Sequence, residues 1–215
     1  EPLAAATGYR VRVANDAALG ALAEHSFGAG RGKSNLIYLN GGASGIGGGV
    51  IAGGRLLGGS AGYAGELGHI RVSSSSVRDS AGIAGTLEAE VTRDELQTVL
   101  GLARVTPGEF SEALLADRSD AVATVVRRQL GHLGTAIAAA INVLNPQVVA
   151  LGGFLATLAE YDRVLLERTV KDATLTPSME GVSITAAELG ENLLMVGAAG
   201  LAFGELLADP ASIAR

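Results

Sequence analysis

Three groups of residues have side chains or backbone suited to chemistry. Asn15-Asp16 follows an alternating apolar stretch and precedes an Ala/Leu-rich one, so the pair falls at the carboxyl end of a predicted strand, where α/β folds gather ligand-binding groups. An aspartate there can accept a proton from a substrate hydroxyl, and either residue can equally cap the helix that follows. Glu66 and His69 stand three apart in Gly62-Tyr63-Ala64-Gly65-Glu66-Leu67-Gly68-His69. The carboxylate accepts hydrogen bonds and the imidazole donates or accepts them, a combination that suits neutral polyols. The third group is Gly41-Gly42-Ala43-Ser44-Gly45-Ile46-Gly47-Gly48-Gly49. Its glycines permit positive φ and can turn backbone N–H groups towards an anion. It has no Gly-Lys-Ser/Thr and joins two predicted strands, so it is neither a P-loop nor a dinucleotide-binding turn; a plain hairpin turn is the alternative. His25 and His132 lie on predicted helices with no neighbouring signal and read as ordinary structural residues.

The elements that must position these groups follow from periodicity. Tyr9–Ala14 alternates with period two and predicts a strand leading into the helix Ala17–Glu24. Leu36–Leu39 and Val50–Ala52 are predicted strands flanking the glycine loop 41–49, with a turn at Gly53-Gly54. Residues 56–69 hold too many glycines for a helix and read as a shaped loop, with a short strand at Ile70–Val72 and a polar connection, Ser73–Ser76, that has no intrinsic reason to be ordered. Short helices fill 86–116, with Thr92-Arg93-Asp94-Glu95 resembling a capping box and Pro107-Gly108 as punctuation. Val122, Val126, Leu130, Leu133, Ile137, Ile141 and Leu144 form one apolar stripe, capped by Ser119 or Asp120 and stopped by Asn145-Pro146. Gln147–Leu151 is a buried strand running into Gly152-Gly153; helix Leu158–Val170, strand Val182–Thr185 and helix Leu193–Leu207 complete the chain. Strands alternating with long helices indicate an α/β layered fold.

Composition narrows the function. Of 215 residues 31 are glycine, about twice the usual ~7%, and 13 of them fall within 41–68 without a collagen period. The absence of cysteine removes a disulfide scaffold, a thiol nucleophile and any thiolate zinc site. A net charge of −6 argues against nucleic-acid binding by this chain itself. No apolar run reaches the ~18 residues of a membrane span, and no signal peptide is evident, which predicts a cytoplasmic location. A start at Glu1-Pro2-Leu3 without methionine predicts a piece of a longer polypeptide.

Asn15-Asp16-Ala17, Gly45-Ile46-Gly47-Gly48-Gly49, Gly62-Tyr63-Ala64-Gly65-Glu66-Leu67-Gly68-His69, Asn145-Pro146, Leu151-Gly152-Gly153 and Gly197-Ala198-Ala199 occur in the order found in the ROK family of bacterial repressors and sugar kinases, which the whole chain resembles. The resemblance implies a single domain over 1–215, the second lobe of a ribonuclease H-like, actin/hexokinase-like fold with a mixed sheet flanked by helices. It implies a sugar held by Asn15, Asp16, Glu66, His69 and Glu88, with Asp16 as the base in a kinase. Ser44 and Gly45 would approach ATP phosphates, and Gly152 and Gly153 the adenosine, with Mg, only in a kinase. A homodimer is expected from the family. Family members bind a structural zinc through the His and a Cys-x-Cys-Gly-x-x-Gly-Cys-x-Glu run. Here that run is Asp79-Ser80-Ala81-Gly82-Ile83-Ala84-Gly85-Thr86-Leu87-Glu88, without cysteine, so no metal is expected, and Ser73–Ala84 should be mobile or held by other contacts. The implied function is the sugar-sensing, effector-binding domain of a transcriptional regulator, its DNA-binding part lying outside this chain. The alternatives are the carboxyl-terminal lobe of an ATP-dependent sugar kinase, and a dimerisation module that pairs through the 122–144 stripe.

Overall fold

A computed structural model describes residues 2–9, 11–208 and 210–213. The helices are α1 (Pro2–Thr7), α2 (Asp16–Phe27), α3 (Leu87–Glu90), α4 (Arg93–Val99), α5 (Pro107–Ala116), α6 (Asp120–Leu144), α7 (Phe154–Tyr161), α8 (Arg163–Asp172), α9 (Thr176–Met179) and α10 (Leu193–Ala208). The strands are β1 (Leu36–Gly41), β2 (Ile46–Ala52), β3 (Arg55–Leu56), β4 (Val148–Gly153) and β5 (Ser183–Ala186), in the spatial order β3-β2-β1-β4-β5. β1, β4 and β5 run parallel, and the β2–β3 hairpin is antiparallel to them, which makes the sheet mixed.

Successive strand residues face opposite sides, and helices cover both. Leu36 and Tyr38 point to α2 and α10 and share a core with Ala21, Ile51, Ala150 and Leu193. Ile37 and Leu39 point the other way, into the larger core with α6, α7 and α8. α6 matches its periodicity from the Ser119 cap to Asn145, whose φ of 43° closes the helix. Val122, Val126, Leu130, Leu133, Ile137 and Ile141 are each at most 1% exposed within the chain. The stripe is thus intramolecular core, and a dimerisation module built on it loses its physical basis.

Four expectations are corrected. Residues 11–15 belong to no strand, the sheet being bounded by β3 and β5, and Arg10 of the predicted strand lies outside the described residues. Gly47, Gly48 and Gly49 belong to β2, which leaves Gly42–Gly45 as the turn. The glycines are there for packing: a Cβ on Gly49 would lie 2.5 Å from the Ala17 carbonyl oxygen and 2.7 Å from Ala21 Cβ, and one on Gly47 would lie 2.9 Å from Ala17 Cβ. Helix 158–170 is two helices, broken at Asp162, whose carboxylate caps α8 through the Leu165 N–H. Ile70–Val72 forms only a single bridge, Arg71 to Thr86. The punctuation at Pro107-Gly108 agrees with the structure, where Pro107 opens α5 behind a complete Thr106/Glu109 capping box.

Candidate functional site

The predicted site residues converge on the first half of β2. The close seat of α2 on Gly47 and Gly49 sets its N-terminus beside this strand, with Asp16 Oδ1 3.9 Å from where a Cβ on Gly47 would be. Asn15 is the N-cap: its Oδ1 accepts the Ala17 N–H at 2.7 Å, as does Asp16 Oδ1. Both side chains remain exposed. On the other side of β2 the Gly65 carbonyl and Leu67 press on Gly48, which places exposed Glu66 and the 3-10 turn Leu67–His69 there. Glu88, at the start of α3, reaches the Gly45-Ile46 corner. Its Oε2 accepts the Ile46 N–H at 3.0 Å, and its Oε1 accepts the Ser80 N–H at 3.0 Å and the Ser80 hydroxyl. Gly45, with φ of 140°, has no room for a side chain against that carboxylate.

His69 and Glu88 come together with Asp79, one donor atom from each lying within 4.8 Å of the others. Asp79 is the residue that sequence reasoning missed. Its side chain is fully buried, and Oδ2 lies 2.8 Å from His69 Nδ1 and accepts the Thr86 hydroxyl at 2.8 Å. Oδ1 accepts the Ala81 and Ile83 N–H groups at 3.0 and 2.8 Å. Burial raises the Asp79 carboxyl, but hydrogen bonds from His69, the Ile83 N–H and Thr86, with the imidazole charge, overcome this and bring it down to about 2. The hydrogen bond to Asp79 pushes His69 up against the opposing effect of burial, and the charges of Asp79, Glu88 and Glu66 push the same way. The signal in the sequence was an acid ten residues after a histidine, at a family cysteine position.

These residues do not fit the family's zinc. Ala81 offers only its backbone, Thr86 uses its proton on Asp79, and each oxygen of Asp79 already accepts two donors. The segment 73–84 is held by these bonds instead. Ser73 and Ser75 hydroxyls both donate to Glu90 Oε1, Val72 and Ser73 N–H donate to the Gly85 carbonyl, and Arg78 pairs with Ala84. Burial raises the Glu90 carboxyl, but donation from Ser75 and Ser73, with His132 and Arg128 nearby, leaves it lowered.

Two cavities flank the turn. One of about 290 Å³ is lined by Ser44, Gly45, Asp79, Ser80, Glu88 and Phe154. The other, of about 360 Å³, lies between the carboxyl ends of β1 and β4 and α5, with Asn40, Arg93, Phe110, Ser111, Gly153 and Phe154 on its walls. Asn15, Asp16, Glu66 and His69 line neither. Ser44 is exposed on the turn. Gly152 is buried under Tyr38 and Asn40, and Gly153, with φ of 58°, lies against Gly41, so packing alone accounts for both glycines. Phe154 is 6% exposed, and its ring lies 2.6 Å from where a Cβ on Gly41 would be.

The fold recurs in known proteins. The glucokinase of Thermotoga maritima is 31% identical over 94% of this chain and 68% of its own length. The DNA-binding transcriptional dual regulator NagC of Escherichia coli is 36% identical over 68% of this chain and 38% of its own length. The chain thus spans between 38% and 68% of these curated relatives. The solved ROK hexokinase of Thermus thermophilus superposes with a TM-score of 0.76 at 31% identity, over 92% of this chain and 68% of that one, which gives the sheet its actin/hexokinase-like class. The family model described as ROK matches residues 1–205, and the chain therefore belongs to the ROK family.

Proposed function

We propose that this chain is the sugar-binding lobe of a ROK transcriptional regulator, an effector sensor in which Asn15, Asp16, Glu66, His69 and Glu88 recognise sugar hydroxyls. The reading includes a second lobe and a DNA-binding region outside this chain, and a dimeric assembly. Relatives bear both the glucokinase and the regulator names, so the choice between them rests on this chain. The observation that carries it is the Glu88 carboxylate, which sits on the Gly45-Ile46 corner and already accepts the Ile46 N–H, so that a carboxylate faces the place where the phosphates of a nucleotide would have to approach. The polar groups at β2 are carboxylates, an amide and an imidazole, which pair with neutral hydroxyls and leave an anionic substrate unmatched.

The exposed Asp16 carboxylate supports a second reading, the carboxyl-terminal lobe of an ATP-dependent sugar kinase with Asp16 as general base. One experiment on the full-length protein, with both lobes present, separates the two. Isothermal titration with aldohexoses, N-acetylhexosamines and pentoses, beside an ADP-release assay with Mg-ATP, should show saturable binding of one sugar class without turnover. ADP release that depends on the bound sugar and on Asp16 would make the chain part of a kinase. Sugar affinity that survives the triple variant Asp16→Asn, Glu66→Gln, Glu88→Gln would remove the site assignment.

A further inference from the structure

We infer that Asp79 is a positioning residue that fixes which tautomer of His69 meets the ligand, and that it reverses the hydrogen-bond polarity a metal at the same place would impose. The inference rests on the reading that His69 meets a sugar hydroxyl. An ionised carboxylate only accepts, so the 2.8 Å contact from His69 Nδ1 to Asp79 Oδ2 requires the proton on Nδ1. Asp79 cannot turn to offer anything else. Its side chain is fully buried, Oδ1 accepts from the Ala81 and Ile83 N–H groups, and Oδ2 also accepts from Thr86. Thr86 Oγ1 itself accepts the Ala89 N–H, which leaves its single proton for Asp79. In the neutral imidazole, Nε2 then carries the lone pair. Nε2 has no hydrogen-bond partner among the described residues, and the ring is 28% exposed. While the ring is neutral, a hydroxyl arriving at Nε2 must donate.

A metal held where Asp79 stands would do the opposite. It would take the Nδ1 lone pair, put the ring proton on Nε2, and make that nitrogen a donor. Replacing a metal-binding cysteine position by aspartate therefore preserves the ring's anchorage while exchanging donor for acceptor at its free end.

The test has two arms. ¹⁵N-histidine NMR in alkaline buffer, where the imidazole is neutral, should show the His69 proton on Nδ1, and Asp79→Asn should move it to Nε2, because the amide N–H₂ then donates to Nδ1. Thr86→Val, which leaves the Asp79–His69 contact in place, should keep the wild-type tautomer. In the second arm, in the same alkaline buffer, each hydroxyl of the bound sugar is replaced in turn by fluorine, which accepts but does not donate. The position meeting His69 should lose about tenfold or more in affinity in the wild type, close to one neutral hydrogen bond, and the loss should shrink in Asp79→Asn. A proton on Nε2 in the wild type, an unchanged tautomer in Asp79→Asn, or equal fluorine penalties in both proteins overturns the inference even with sugar binding intact. If Asp79→Asn does not fold, the wild-type and Thr86→Val spectra decide it. Failure of every sugar to bind overturns the functional reading instead, and the spectra still decide the role of Asp79.

Discussion

Replacing Glu88 tests whether one carboxylate both supports the glycine corner and serves the ligand. The Ile46 N–H it accepts is buried, with Ile46 4% exposed, whereas Ser80 is exposed and finds water when the carboxylate leaves. Glu88→Ala therefore strands one buried donor, a loss of about 1–3 kcal/mol, and costs little at Ser80. Taking about 2 kcal/mol, and about 2–4 °C per kcal/mol for a domain of this size, the melting temperature should fall by about 4–8 °C. Glu88→Gln keeps an oxygen for Ile46 but sets an amide N–H₂ against the Ser80 N–H, so it should lie between the two. Sugar affinity should fall further than stability suggests, because a hydrogen bond from a hydroxyl to a carboxylate contributes about 1.5–3 kcal/mol, or about 10–100-fold. Thermal denaturation followed by circular dichroism, hydrogen exchange at the Ile46 amide and calorimetric titration measure the three effects. A Glu88→Ala protein that melts within about 1 °C of the wild type, with the Ile46 amide equally protected, refutes the bracing argument.

Gly49→Ala should destabilise by about 1–3 kcal/mol or more, because the new Cβ meets the backbone of α2, whereas Gly58→Ala, where nothing lies within 4 Å, should be nearly neutral; denaturant titration of both decides it. The His69–Asp79 pair should make stability depend on pH. A raised His69 contributes stability that is complete below its ordinary value near 6.5 and is lost as pH climbs through the raised value; a lowered Asp79 contributes stability that is present above about 3.8 and is lost as pH falls towards 2. Melting temperature should therefore be highest between about pH 4 and 6.5, and Asp79→Asn should flatten the profile at both ends; a wild-type profile that keeps rising through pH 9 contradicts the pairing. Plasma mass spectrometry of purified protein should find zinc well below one per chain, and a chelator should leave the melting temperature unchanged; stoichiometric zinc would reverse this.

Much of the fold was legible because the information was local. α6 declared itself through an unbroken stripe and a Ser119 cap, and the close of the chain at α10 matched within a residue. The errors came where a partner decides. Tyr9–Ala14 has the alternation of a strand, but alternation describes two faces and does not supply a neighbour. The glycines of β2 read as a loop because their composition favours turns; the reason for them is a helix lying on the strand, which only the tertiary arrangement reveals. Thr92 caps α4 as its motif suggests, yet Glu95 does not close the box, because its carboxylate takes Arg128 and the buried Gln129 instead. The candidate site was half legible. Asn15, Asp16, Glu66, His69 and Glu88 announce themselves by type and spacing, whereas Asp79 acquires its role only after seventeen residues close a loop around it.

Glu24 sits at the far end of α2 from Asn15 and Asp16. It is completely buried, and it accepts the N–H groups of Ala29, Glu188 and Leu189, which clamp the end of that helix to the turn leading into α10. Along their length the two helices mesh through glycine, with a Cβ on Gly20 lying 3.0 Å from Leu193 and one on Gly197 lying 2.6 Å from the Leu19 carbonyl carbon. A pair so joined is in contact at its clamped end and along its length. A force applied at Asn15 or Asp16 would therefore load α10 together with α2.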